Sequence, residues 1–219
     1  MRIVALDAGR GHGAVSRTLA AAAEAAENAG AEVRRLRLAD FRIRDCVGCG
    51  LCALGDGCKI PDDLPELSAA IAAADAVILG APTAGRANLR AFAALTRRLR
   101  TWFQGDGQAQ LPGLDAEALR LTPLARRVKR ALIITGAGGG GNVGAFFAGL
   151  GRAAAGVRGG AGGTAGGGAQ VRELRRMLAS CHIDAVGSLS VRHERADGEL
   201  SWDEWDRAAS MGRLLAGRV

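Results

Sequence analysis

Short apolar runs alternate along this chain with longer stretches of helical periodicity. Ile3 to Leu6 is a strand-like run that ends in Asp7-Ala8-Gly9-Arg10-Gly11-His12-Gly13. From Ser16 an alanine-rich stretch predicts a helix running to Gly30, its C-terminal stop. Val33, Leu36 and Leu38 sit among Arg34, Arg35 and Arg37, a partial alternation that predicts a second strand at a sheet edge. Pro61-Asp62-Asp63-Leu64-Pro65-Glu66 reads as a capped helix start. Leu67 and Ile71 then share one helical face, with the helix ending near Asp75. Ala76 to Gly80 is a fully apolar third strand, and residues 87–101 form the next helix, with Leu89, Phe92 and Leu99 toward the core and Trp102 and Phe103 at its end.

The unit repeats in the second half. Ala131 to Thr135 predicts a fourth strand running into Gly136 to Asn142, followed by a helix from about Val143 to Ala154. Residues 156–168 are almost all glycine and small residues, which cannot bury apolar surface, so a flexible loop without chemistry is expected. Gln170 to Ser180 predicts a helix, Ala185 to Val191 a fifth strand, and Trp202 to Ala216 a C-terminal helix capped by Ser201 or Asp203. Residues 102–130 carry no clear pattern beyond a helical turn or two between Asp115 and Leu121. Strands alternating with helices imply an α/β fold, a doubly wound five-stranded parallel sheet in the order 2-1-3-4-5. No shift in composition marks a boundary, so residues 1–219 are expected to form a single domain.

Composition narrows the function classes. The net charge is +7, but the arginines are scattered through helical stretches and lysines are rare, a pattern that does not form a nucleic-acid patch. Tyrosine is absent, leaving few platforms for stacking bases. No run of about 18 apolar residues suggests a membrane span, and the N-terminal run meets Asp7 too soon for a signal peptide. A cytoplasmic location is therefore expected, where clustered thiols more often bind metal or do redox chemistry than form disulfides.

Four of the five cysteines lie in one loop-like segment at 45–60, with the spacing C-x2-C-x2-C-x5-C: Cys46, Cys49, Cys52 and Cys58. Three thiols two residues apart on a glycine-interrupted loop can face a common centre, and the fourth can close the shell, which suits a [4Fe-4S] cluster. Zinc, or a loop of free thiols, remains open. Cys181 ends a predicted helix and reads as a core or surface thiol.

In a sheet of this order, ligands bind outside the carboxyl ends of the strands, at the switch point between the first and third. Three loops should meet there: Asp7 to Val15, Pro82 to Asn88, and Gly136 to Asn142. The first precedes a helix N-terminus, where free N–H groups and the helix dipole favour a phosphate. Gly9, Arg10, Gly11, His12, Gly13 and Ser16 are its candidate contacts.

The order of these features resembles the NAD(P)H-dependent FMN reductase and iron-sulfur flavoprotein family: a first strand with a Gly/Ser loop, the cysteine segment followed by Asp62-Asp63, then Ile78-Leu79-Gly80-Ala81-Pro82. The resemblance implies a flavodoxin-like fold, FMN at the switch-point crevice, a [4Fe-4S] cluster on the cysteines, and homo-oligomers. It places the FMN phosphate on Ser16 and the 9–13 loop. Pro82, Thr83, Ala84, Gly85 and Asn88, with Gly136 and Asn142, would border the isoalloxazine ring. The implied function is an FMN-dependent oxidoreductase that takes electrons from NAD(P)H, its substrate, or from a protein donor, and passes them to a small-molecule or protein acceptor. No catalytic residue is assigned. A cluster-free NAD(P)H:quinone or FMN reductase, and a metal-binding or redox-sensing module without flavin, are the alternatives. The first loop departs from its relatives: Asp7-Ala8-Gly9-Arg10-Gly11 and Ala14-Val15-Ser16 lack two hydroxyl donors and an Asn, and Asp7 adds a carboxylate beside the expected phosphate.

Overall fold

The computed structural model describes residues 1–9, 11–49, 51, 58–81, 86–104, 129–136, 167–181, 183–191 and 200–217. Five strands, β1 (Arg2–Asp7), β2 (Glu32–Arg37), β3 (Ala76–Gly80), β4 (Lys129–Gly136) and β5 (Ile183–Val191), form one sheet in the order β2-β1-β3-β4-β5. Every pairing is parallel. The order is the expected one, with β1 and β3 at the switch point.

The two-residue period of β1 decides the layers. Ile3 and Ala5 face one side, packing with Val15, Leu19, Ala22 and Ala26 of α1 (Ala14–Asn28) and with Ala208 and Leu215 of α5 (Trp202–Gly217). Val4 and Leu6 face the other, against Leu64, Leu67 and Ile71 of α2 (Leu64–Ala73), Phe92, Leu95 and Leu99 of α3 (Arg86–Gln104), and Leu174 and Leu178 of α4 (Gly167–Ser180). β3 is buried along its whole length, as its unbroken apolar run requires of an interior strand.

Several element ends differ from the sequence reading. α1 begins at Ala14, two residues before Ser16, with Gly13 in the N-cap position. Its stop is as expected: the Gly30 N–H donates to Glu27 O (2.9 Å) and the Ala31 N–H to Ala26 O (3.0 Å). Leu38 is not part of β2. It lies in a short 3-10 turn, Leu38–Asp40, which carries its side chain into the core. α3 continues through Trp102 and Phe103 to Gln104. α4 begins at Gly167, so the last two residues of the 156–168 glycine tract are helical rather than loop. At α5, Ser201 is the cap: its Oγ accepts from Glu204 N–H (3.3 Å) while Glu204 Oε2 accepts from Ser201 N–H (3.1 Å), a reciprocal capping box. The expected helix over Val143 to Ala154 and the turn at Asp115 to Leu121 lie outside the described residues.

Lys129 is a buried cation at the start of β4. Its Nζ donates to Ala72 O (2.7 Å) and to Ala74 O, satisfying carbonyls left open at the end of α2. Among the described residues, no helix is long and apolar enough to cross a membrane.

Candidate functional site

The strand ends at the switch point are Asp7 and Gly80, register partners in the sheet. The chain after β1 is tied down at once, because the Ala8 N–H donates to Gly80 O (2.9 Å). Asp7 then turns its carboxylate back onto its own loop: Oδ1 accepts from the Gly9 N–H at 2.7 Å. Ser16, on the first turn of α1, accepts from the Gly11 N–H with its Oγ at 3.1 Å. Both groups crowd Gly9. A Cβ there would lie 2.9 Å from Asp7 Oδ1 and 2.9 Å from Ser16 Oγ, so a side chain at this position would displace one or both groups. From the other side of the crevice, Asn88 of α3 donates through Nδ2 to Gly9 O at 2.5 Å. Gly9, Gly11, Ser16 and Asn88 are thus brought together. His12 is exposed beside them.

The first turn of α1 carries no acidic residue and no side chain caps it. Its N–H groups and the positive end of its dipole suit a phosphate. That fits FMN at this end of the crevice. Asp7 works against it, since its charge lies beside the loop and holds one of the amides a phosphate would use. Asp7→Asn keeps the acceptor for Gly9 and removes the charge. FMN should bind this variant about tenfold more tightly, about 1.4 kcal/mol, in a flavin-fluorescence titration; an unchanged Kd would place the phosphate away from this loop. Arg10, Pro82, Thr83, Ala84, Gly85 and Asn142 lie outside the described residues, while Gly136 ends β4.

The cysteine segment leaves and re-enters the fold through two paired stems. Asp63 N–H donates to Arg42 O (3.2 Å), Arg42 N–H to Asp63 Oδ2 (2.6 Å), and Arg44 N–H to Asp62 Oδ2 (2.9 Å). Asp62, not Asp63, also takes the first free amide of α2, accepting from the Leu64 N–H at 3.2 Å. The acidic pair read as a helix cap is therefore shared between that cap and the stems.

Arg98 of α3 closes this corner. Its guanidinium forks Asp62, with Nη2 3.1 Å from Oδ1 and Nη1 bonded to Oδ2. Nη1 also donates to Arg44 O (3.0 Å) and Nη2 to Cys58 Sγ (3.2 Å). The two side chains are 2% and 0% exposed. Burial alone would raise the Asp62 pKa, but the bonds from Arg98 and from the Arg44 and Leu64 amides outweigh it and hold the carboxyl below its ordinary value. The sequence reading passed over Arg98 as one of several helix arginines. The available signal was its place three residues after Leu95, on the apolar stripe, where an arginine needs a partner.

Cys46 and Cys49 are exposed and Cys58 is half-buried; Cys181 is buried in the core. Gly48 has a φ of +69°, a left-handed turn that glycine adopts without strain, and its N–H donates to Cys46 Sγ at 3.4 Å. Two of the cysteine sulfurs therefore already take hydrogen bonds of the kind cluster thiolates accept, which fits the donor chemistry of an iron-sulfur site. Among the described residues, no three Cys, His, Asp or Glu side chains form a ready cage, and Cys52 lies outside them.

Residues 1–86 match the sequence profile of the NADPH-dependent FMN reductases. A 73-residue stretch is 38% identical to an iron-sulfur flavoprotein of Archaeoglobus fulgidus, covering 33% of this chain and 33% of that one. A 78-residue stretch is 35% identical to an iron-sulfur flavoprotein of Methanocaldococcus jannaschii, covering 34% of this chain and 40% of that one. The similarity thus spans a third to two fifths of the length of these relatives. Among solved structures, flavodoxin 1 from Bacillus cereus has the same fold, with a TM-score of 0.52 at 11% identity over 100% of this chain and 99% of that one.

Proposed function

From the match of residues 1–86 to the NADPH-dependent FMN reductase profile, we propose that this chain is an FMN-dependent oxidoreductase that accepts electrons from NAD(P)H or a protein donor and carries a [4Fe-4S] cluster on Cys46, Cys49, Cys52 and Cys58. The observation that carries the reading is the placement of α3. Asn88 at one end holds the glycine loop of the flavin crevice, and Arg98 on the same helix holds the cysteine segment. When bound, FMN converts between two-electron and one-electron transfer and the cluster stores single electrons.

The chain's own residues position and shield. The first turn of α1, with Gly11, Gly13 and Ser16, would receive the phosphate. Asn88 fixes Gly9 so that the loop cannot spread, and Pro82 to Gly85, Gly136 and Asn142 would border the ring. The stacked Trp202 and Trp205 rings, 5.3 Å apart on an exposed face of α5, support a homo-oligomer.

A second reading, the cluster-free reductase, is favoured by the exposure of Cys46 and Cys49. Anaerobic addition of NADPH, and separately NADH, to FMN-loaded protein tests the activity. The proposal expects one of them to bleach the flavin band with one equivalent consumed per flavin. A flavin reducible by dithionite but by neither nucleotide leaves only the protein-donor form.

A further inference from the structure

We propose that Arg98 is the positioning residue of the cysteine centre, a buried cation that fastens both stems of the loop to α3 and sets the charge felt by the Cys58 sulfur. The inference rests on the reading that these cysteines hold an iron-sulfur cluster. A guanidinium stays charged at any working pH, so its burial needs compensation on every side. At the two terminal nitrogens the chain supplies this with its own groups: Asp62 through both carboxylate oxygens, Arg44 O, and Cys58 Sγ. None of these contacts waits on a bound cofactor.

The ion pair has a direction. Its positive end is 3.2 Å from Cys58 Sγ, while the negative end is engaged by the Arg44 and Leu64 amides on the far stem and on α2. A charged donor at a ligand sulfur favours the more negative oxidation level and raises the potential of the centre. Geometry and charge separate on substitution. Lysine brings one point charge without the fork, so it cannot hold Asp62, Arg44 O and Cys58 together. Combining Arg98→Gln with Asp62→Asn removes both charges while leaving polar groups that can still bond, which spares the fold an unpaired buried carboxylate.

Arg98→Lys and the double variant Arg98→Gln, Asp62→Asn are therefore compared with the wild type in two measurements. In metal-free protein, amide hydrogen exchange at Arg42 and Arg44 should accelerate at least tenfold in both variants, with exchange at β1 and β3 unchanged. After loading with iron and sulfide, the double variant should show its reduction equilibrium shifted about tenfold toward the oxidised form, 59 mV for a one-electron couple, while the lysine variant stays closer to the wild type. Unchanged exchange in both variants overturns the positioning role. An unchanged midpoint in the double variant overturns the charge role. Wild-type protein that takes up no iron refutes the cluster reading instead, and the exchange measurement still decides whether Arg98 seats the loop.

Discussion

Replacing Asp62 with alanine should destabilise the protein by about 3–5 kcal/mol, because it leaves the Arg98 guanidinium buried without its carboxylate. The effect is larger than that of an exposed ion pair such as Arg97–Asp45, whose partners sit at the surface and contribute about 0–1 kcal/mol. Two further losses come with it, since the Arg44 and Leu64 amides lose their acceptor. Denaturant unfolding measures the total. pH provides an independent check. The Asp62 carboxyl is held below its ordinary value of 3.8, so its stabilisation is complete above 3.8 and is lost as pH falls through the lower folded-state value. The alanine variant should therefore lose less of its remaining stability than the wild type when pH is lowered below 3.8. An Asp62→Ala protein as stable as the wild type, with the same acid profile, would mean that the ion pair does not hold the cysteine segment.

Gly212→Ala should cost about 3 kcal/mol, a fall in Tm of about 6–12 °C for a chain of this size. Alanine is ordinarily the better helix residue by about 1 kcal/mol, so the sign is set by packing. At Gly212, α5 crosses α1 closely enough that a Cβ would lie 2.1 Å from Ala22 O and 2.9 Å from Ala22 C. Those are backbone atoms of a helix that carries Ser16 at its start, and they can yield only if one helix moves. Gly187 is the control. A Cβ there would lie 2.2 Å from Met211 Cε, the far end of a flexible side chain that can rotate away. Thermal unfolding should therefore show Gly187→Ala less damaging than Gly212→Ala. Equal effects would mean that α5 is not seated on α1 through this contact.

The sheet order was legible because each interior strand is a short apolar run bounded by turn residues, and only a few arrangements of five such strands with intervening helices satisfy both faces. Register was not. Ala131 pairs with Ala185 but Leu132 pairs with Gly187, so Val186 is an extra residue in β5. Ile183 and Ala185 consequently pack in the α2–α4 layer, whereas Leu189 and Val191 pack in the α1–α5 layer. The odd-numbered positions look identical in sequence, and no local pattern announces the change of face. Leu38 escaped for a related reason: its apolar spacing continues the strand, and only the tertiary path shows that it enters the core from a 3-10 turn.

At the site, the loop after β1 and Asn88 were readable from topology, since both lie at the carboxyl side of neighbouring strands. The cysteine spacing was plain in the sequence, but the bond from Arg98 to Cys58 was not, because the two are 40 residues apart and the bond depends on how α3 lies against the stems. Asp7 was read as a like charge beside a phosphate. Its bond to Gly9 adds a structural part, so the residue that opposes the anion also shapes the loop that would receive it.

The cofactor content of freshly purified, anaerobically handled protein tests the account most directly. The wild type should show a flavin absorption band together with iron and acid-labile sulfide, and a Cys49→Ser, Cys58→Ser variant should keep the flavin and lose the iron. A colourless protein that FMN cannot reconstitute, carrying stoichiometric zinc, would contradict it.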